Sequence, residues 1–479
     1  MYGLIVIGDD LSSHVAAAVA SSYGIKTALL SECGQGEVCL IGDLVFNIDP
    51  TPMTGFGANQ TCFSLLAQLD ISSESVLLNP AYQIILPEHR IDFFNDKEAL
   101  IEEMTREFPE MSGKIKSFYN AAERNSAIAG KWHNDHPFIQ PNSIKDYIDY
   151  INLTPYLIRN IFCNDKLKQL MFKNASFRKV IEAQQALLSF RTKMQNSIFS
   201  HFQYSAPMRG INYFSKGKQT IFDAAIKKIE STEGMYINRC EVLAIKKNRL
   251  IEVTYNDKDG AASKIEANNL IVSTKWQNMH ILIKRKKKLN WSDLIRPVKV
   301  SHYPFSIHLG VNPTSIPEKM ARHVVVVTDI NKDIYNDNLI ILELGAAEDE
   351  KTISASKIPL SATVFLPNDQ NIWSKENLTA YAQSIIDRLE YFLPFLKENI
   401  EFIDIEESIN ISKKQREIVN PKYQLRNSFI TGFAAKNNKT KFGNIYLAGA
   451  SLLTDAGFEG EIISGINAAS RVAGHGSNP

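Results

Sequence analysis

The hexapeptide Gly8-Asp9-Asp10-Leu11-Ser12-Ser13 joins an apolar run of strand length, residues 3–8 (GLIVIG), to Ser12–Tyr23, whose alanines recur at helical spacing. A strand turning into a helix at this point aims backbone N–H groups and the positive end of the helix dipole at an anion. A dinucleotide-binding turn of that kind follows the pattern G-x-G-x-x-G. The first glycine makes the tight turn, the second lets backbone approach a pyrophosphate, and the third lets the helix pack on the strand. Only Gly8 fills its slot; Asp10 stands in the second and Ser13 in the third. A carboxylate ~5 Å from a phosphate repels it by ~3 kcal/mol at an effective dielectric of ~20. Two readings of the loop stand side by side. In one it is a diverged pyrophosphate turn, for which Asp10→Gly would tighten the dinucleotide. In the other Asp9, Asp10 and Ser12 cap the helix.

Two further stretches belong with this turn. Glu32 closes a second apolar strand, Lys26–Glu32, in the position of a ribose-binding acid roughly 20 residues past the loop. At the other end of the chain, Asn444–Gly449 (NIYLAG) runs into a glycine-punctuated loop and a small-residue helix, Ala450–Gly465 (ASLLTDAGFEGEIISG), closing at Ala469. The N-terminal strand–helix–strand unit implies a parallel sheet. Units of this kind at both termini mean that the chain returns to its starting domain and grips one large ligand from both ends.

The elements between must position these turns. Longer amphipathic helices with interspersed aromatics fill residues 80–205, among them Lys97–Phe108, Ser143–Ile151 and Asn164–Phe190. A glycine turn at Gly217 leads into a helix through Ala225. Met235–Ile245, Arg249–Asn256 and Ala261–Val272 alternate as hairpin strands, and 298–366 reads as more strands before a helix over Asn377–Phe392. The chain has 479 residues, enough for more than one core, and 44% are hydrophobic. With 53 basic and 52 acidic residues, no global charge recruits nucleic acid. Five cysteines (Cys33, Cys39, Cys62, Cys163, Cys240) lack metal-ligand spacing and read as buried free thiols in a reducing compartment. No signal peptide or apolar span of about 20 residues is expected, so the sequence reads as a soluble, cytoplasmic protein.

Four segments, in this order, give the chain a family likeness over nearly its whole length. They are the N-terminal unit with Glu32, the stretch Gly42–Pro52 (GDLVFNIDPTP), the turn FSKGKQTIFDAAIKKI with its hairpins, and the C-terminal NIYLAGASLLTDAGFEGEIISGINAA. In these the chain resembles the phytoene desaturase and flavin amine oxidase superfamily of FAD-dependent oxidoreductases. The likeness implies an α/β protein with a discontinuous Rossmann-like FAD/NAD(P)-binding domain (residues 1–80, 205–290 and 435–479) and an interleaved α+β substrate domain (81–204 and 291–434). It implies that Gly8, Asp10, Leu11, Ser12 and Ser13 face the pyrophosphate and that Glu32 holds the adenosine ribose. The backbone of Val242 would approach adenine. Gly449, Ala450, Gly457, Gly460, Glu461 and Ile462 would line the pyrophosphate–flavin side. The bound flavin would take hydride from a hydrophobic or amine-bearing small molecule. No catalytic side chain is assigned.

The sequence departs from the family where the cofactor would touch. Besides Asp10 and Ser13, Gln35 separates Gly34 and Gly36 with no arginine following, Lys218 replaces the second glycine of a Gly-Gly pair, and Glu461 replaces a small residue beside Glu459. The alternative is a cofactor-free module on the same fold, a prenyl or lipid binder similar to Rab GDP-dissociation inhibitors. Minor signals carry two readings each. The basic run Lys284–Lys288, with Leu289 and Trp291, is a solvated loop or a peripheral membrane contact. Tyr150, Tyr156, Phe162, Met171 and Phe172 are plain core or the wall of an apolar tunnel. His133 and His136 lack the company a metal needs.

Overall fold

The computed structural model describes residues 1–474 apart from 35, 37, 58–59, 61, 71–74, 136–147, 149–150, 153–154, 156–172, 194–199, 215, 277–297, 346–356, 426–437 and 441. The basic run at 284–288, the aromatics from Tyr150 to Phe172, and His136 lie outside the described residues.

The apolar run after Met1 forms the strand Tyr2–Ile7, whose residues Leu4–Ile7 are wholly buried. It pairs in parallel with Thr27–Ser31 on one side and with Ala262–Ser273 on the other. The helix Leu11–Ser22 makes the crossover, as the alanine spacing predicts. Ala262–Ser273 is long enough to serve two neighbours on its far edge: Ile251–Asn256, antiparallel, and Ile445–Ala448, parallel. Ile7, Val272 and Leu447 therefore stand in one row across three parallel strands. Gly8 and Gly449 leave the sheet at the same edge.

The helix that follows, Gly457–Ala473, lies against Leu11–Ser22 at close range. A Cβ on Gly465 would stand 2.5 Å from the Ser12 carbonyl oxygen, so glycine at that position permits the crossing. Head and tail of the chain meet, as the paired turns predict.

One expectation is corrected here. Met235–Ile245 is not a single hairpin strand. It breaks at Arg239, whose φ is +55°, so that Met235–Asn238 joins Thr27–Ser31 in parallel and Glu241–Lys247 turns to pair with Ile251–Asn256. The left-handed residue lets one segment serve two sheet edges.

A second, eight-stranded sheet runs in the order Ile400–Ile403, Val298–Val311, Ile358–Pro367, Leu339–Leu344, His323–Val327, Tyr82–Leu86, His89–Phe93, with Lys422–Leu425 also paired to Val298–Val311. Alternation sorts its side chains between two cores. Val325, Val327 and Ile341 face the helices Lys97–Glu107, Ser112–Asp135 and Ala175–Leu188; Val324, Val326 and Leu342 face the helix Lys375–Phe392. Of the described cysteines, Cys62 and Cys240 are buried, while Cys33 and Cys39 are only partly so. No helix among the described residues is long and apolar enough to cross a membrane.

Candidate nucleotide-binding seam

Gly8 has φ +156°, and a Cβ there would sit 2.3 Å from Ser13 Oγ and 2.5 Å from Ser273 Cβ. The glycine is required by the packing of the chain against itself. Asp10 is 1% exposed and is the N-cap of the helix. Its Oδ1 accepts from the Ser13 amide (3.2 Å) and Ser13 Oγ (2.5 Å), and its Oδ2 accepts from Ser273 Oγ (2.7 Å). The carboxylate thus occupies the role a phosphate would play at this helix terminus, taking an amide donor and the positive end of the dipole. Asp9 is engaged as well, accepting from Ser31 Oγ (2.5 Å) and the Cys33 amide (2.9 Å). Leu11, Ser12 and Ser13 are all buried. Of the three residues in the capping reading, Asp10 alone caps the helix: Asp9 bonds outside it, and Ser12 Oγ has no partner among the described residues.

The adenosine end is closed in a different way. Glu32 and Val242, expected to hold ribose and adenine, are brought together, but bonded to each other: the Val242 amide donates to Glu32 Oε1 at 2.9 Å. The indole Nε1 of Trp276 donates to the other oxygen, Oε2, at 2.9 Å. Trp276 is 5% exposed and packs in the core with Val242.

At the C-terminal turn, Gly449 has φ +149°, and a Cβ there would lie 1.9 Å from Thr274 Oγ1. Its amide donates to Ser464 Oγ (2.9 Å). Gly457 and Gly460 are likewise pressed on backbone, with Cβ positions 2.0 Å from the Leu188 oxygen and 2.3 Å from the Leu453 oxygen. Ala450 and Ile462 are fully buried. The first turns of the helix Gly457–Ala473 carry two buried carboxylates. Arg209 clamps Glu459 in a two-pronged pair (2.8 and 2.7 Å), and Glu461 accepts from Asn420 Nδ2 (2.5 Å). Burial pushes the Glu461 carboxyl up to about 7, opposed by Lys275 and reinforced by Asp10 and Asp49.

Around this turn lie ion pairs that no local pattern announces. Lys218 Nζ stands 3.1 Å from Asp49 Oδ2. Burial works against the Asp49 charge, but Lys218 and the Thr51 hydrogen bonds more than reverse it and hold the carboxyl below its ordinary range. Arg191 pairs with Asp455, both nearly inaccessible. Lys422 Nζ donates to the carbonyls of Ala186 and Ser189 at 2.5 Å over the face of Phe365, and burial lowers it to about 7. The cavity bounded by Asp49, Lys218, Tyr213, His323 and Glu343 measures about 10 Å³, the room one water needs.

Sequence reasoning found Gly8, Glu32, Gly449 and the C-terminal helix, and the fold gathers them along one seam. It missed Trp276, Arg191, Arg209, Asp455, Asn420 and Lys422. Two of these pairs, Arg191–Asp455 and Arg209–Glu459, are 250 or more positions apart, and no spacing rule links them. FAD would need the Glu32 carboxylate, the Val242 amide, the helix terminus at Ser13 and the terminus at Gly457. In this arrangement the chain's own groups engage the first three, and Glu459 and Glu461 crowd the fourth, so the residues do not fit that cofactor. Three buried hydroxyls beside the seam, Ser12, Thr274 and Ser451, have no hydrogen-bond partner among the described residues. Also among the described residues, no group of three or more His, Cys, Asp or Glu side chains could hold a metal ion.

No protein-family model matches the chain, and no curated protein matches its sequence. Solved structures do match. A putrescine oxidase bound to putrescine shares 12% identity at TM-score 0.59, over 99% of this chain and 98% of that one. Cyclohexylamine oxidase from Brevibacterium oxydans shares 10% at TM-score 0.57, over 99% of both. A Rab GDI from Plasmodium falciparum shares 12% at TM-score 0.53, over 100% of this chain and 99% of that one. At such identities the likeness is one of fold: this chain shares the α/β fold of these two oxidases and of the Rab GDI, as its four segments imply.

Proposed function

We propose that this chain is a cofactor-free binding module built on the flavin amine oxidase-like fold, taking a hydrophobic small molecule or lipid group in place of performing redox chemistry. The observation that carries this reading is the Glu32 carboxylate, held between the Val242 amide and the Trp276 indole where adenosine would lie. Hydrogen bonds to a charged group contribute about 1.5–3 kcal/mol each. Opening both would cost a dinucleotide about 3–6 kcal/mol before its ribose and adenine bond the same groups, and the Trp276 indole N–H would be left buried without its acceptor. Asp10 adds to that barrier, since its carboxylate holds the helix terminus a pyrophosphate requires. The fold likeness to a Rab GDI supports the same class.

The rival reading is an FAD-dependent oxidoreductase. It draws support from the likeness to amine oxidases and from the unpartnered hydroxyls of Ser12 and Ser451 beside the seam. It requires the seam to open and Glu32 to release both donors. Absorbance of the purified protein and a titration with FAD separate the two. A colourless protein with no saturable uptake of FAD is the expected result; flavin retained at one per chain would overturn the proposal.

A further inference from the structure

The cavity of about 10 Å³ beside Lys218 is enclosed by side chains from distant parts of the chain. Asn47, Asp49 and Thr51 come from the strand Leu44–Asn47 and the turn after it, and Tyr213 from the strand Ile211–Tyr213. His323 and Glu343 come from the second sheet, where they are direct cross-strand partners, so their side chains rise from one face. Apart from Asn47, every residue around the cavity is buried.

Two polar atoms of this lining are left short. Asp49 is 5% exposed and His323 is 3% exposed. Asp49 Oδ1 accepts from the Thr51 amide at 2.8 Å. Asp49 Oδ2 lies 3.1 Å from Lys218 Nζ, an ion-pair contact, but has no hydrogen-bond partner among the described residues. The same is true of His323 Nδ1. Glu343, by contrast, is met: its Oε1 accepts from Asn47 Nδ2 at 2.7 Å. Burial, reinforced by Arg322 and Lys218, lowers His323 to about 3, so its ring is neutral, with one nitrogen a donor and the other an acceptor. A buried polar atom without a partner is destabilising, and here two such atoms belong to residues that line one cavity.

Size and charge narrow the guest that could serve both. The volume suffices for one water and leaves no room for a phosphate, a carboxylate or a carbon chain. A cation is disfavoured, because Lys218 already stands beside the same carboxylate oxygen. A neutral water can give one proton to Asp49 Oδ2. With His323 Nδ1 it can act as donor or acceptor, whichever the tautomer requires.

We infer that one internal water occupies this cavity and bridges Asp49 Oδ2 to His323 Nδ1, joining the turn after Leu44–Asn47 to the second sheet. Lys218 and the water share one carboxylate oxygen, so the altered glycine turn at Gly217 is docked on that sheet through both. The inference is independent of what the seam binds.

Two measurements on the full chain test it. In a crystal structure that resolves ordered solvent, one density peak should lie within about 2.7–3.2 Å of both Asp49 Oδ2 and His323 Nδ1. An empty cavity, or direct contact between the two side chains, would overturn the inference. In solution, magnetic relaxation dispersion of the water oxygen counts slowly exchanging internal waters. His323→Phe, whose ring fills the cavity, should show one fewer than the unaltered chain. An unchanged count in a folded His323→Phe chain would overturn the inference; if that variant does not fold, the crystal structure of the unaltered chain decides alone.

Discussion

The nucleotide seam and a crevice on the second sheet, walled by Arg90, Asp92, Glu103, Arg106, Glu107 and Lys319, both hold ionisable side chains, yet they treat charge differently. Along the seam every carboxylate described above is met by a donor from the chain itself. At the crevice, among the described residues, Arg90 and Lys319 have no carboxylate partner and Asp92 meets only the neutral Gln83 amide. The difference follows from burial: a charge removed from water costs several kcal/mol unless it is paired and hydrogen-bonded, whereas a charge at the lip of a crevice keeps its hydration. Pairing marks where the fold has sealed itself, and unpaired charge marks where water still reaches.

The sharpest way to break the comparison is to remove one member of a pair from each region. Arg191→Met leaves Asp455 buried without its cation and should cost about 3–5 kcal/mol in urea unfolding, while Arg90→Ala should stay within about 0.5 kcal/mol. Equal losses would erase the distinction.

The pH dependence of stability sharpens it further. Glu461 and Glu343 rise by burial from 4.5 to about 7, so the folded chain holds their protons more tightly than the unfolded chain does. Their contribution is full at low pH and is lost as pH rises from about 4.5 to 7. Lys422 falls by burial from 10.5 to about 7, so its contribution is full at high pH and is lost as pH falls across that window. Stability from these groups passes through a minimum near neutrality. Glu461→Gln should flatten the acid limb by on the order of a few kcal/mol and leave the alkaline limb in place. An unchanged acid limb in chemical unfolding at stepped pH would refute the assignment.

Smaller effects test how the two ends of the seam are closed. Trp276→Phe removes one donor from Glu32 and should cost about 1–3 kcal/mol, measurable by thermal unfolding. Asp10→Gly removes the helix cap and the acceptor of Ser273, for about 0.5–2 kcal/mol. If these groups are what bar the dinucleotide, each variant should gain affinity for FAD in a fluorescence titration, by up to about 10²-fold. Unchanged affinity in both variants would show that Asp10 and the Trp276–Glu32 bond are not what excludes the dinucleotide.

Much of the architecture is legible because it is written locally. The apolar run before Gly8, the alanines after it and the NIYLAG strand each declare an element within a few residues. Strand segments at 323–328 and 339–345 are found close to their expected bounds, 361–366 is the middle of Ile358–Pro367, and 306–311 is only the last part of Val298–Val311. The break at Arg239 was not legible, since alternation runs through Met235–Ile245 and only a left-handed φ in the middle separates two strand partners.

The departures at Asp10, Lys218 and Glu461 stand out as mismatches to a pattern, and local sequence alone carries both the altered glycine turns and the meeting of the two terminal strands in one sheet. Only the tertiary structure decided what the altered residues do. Asp10 turns back to Ser13 and Ser273, Lys218 finds Asp49, and Glu32 is taken by Val242 and Trp276. The physical reason is range. Strand and helix propensity act over a few residues, whereas the partner that satisfies a buried charge is chosen by packing between segments that may lie anywhere in the chain.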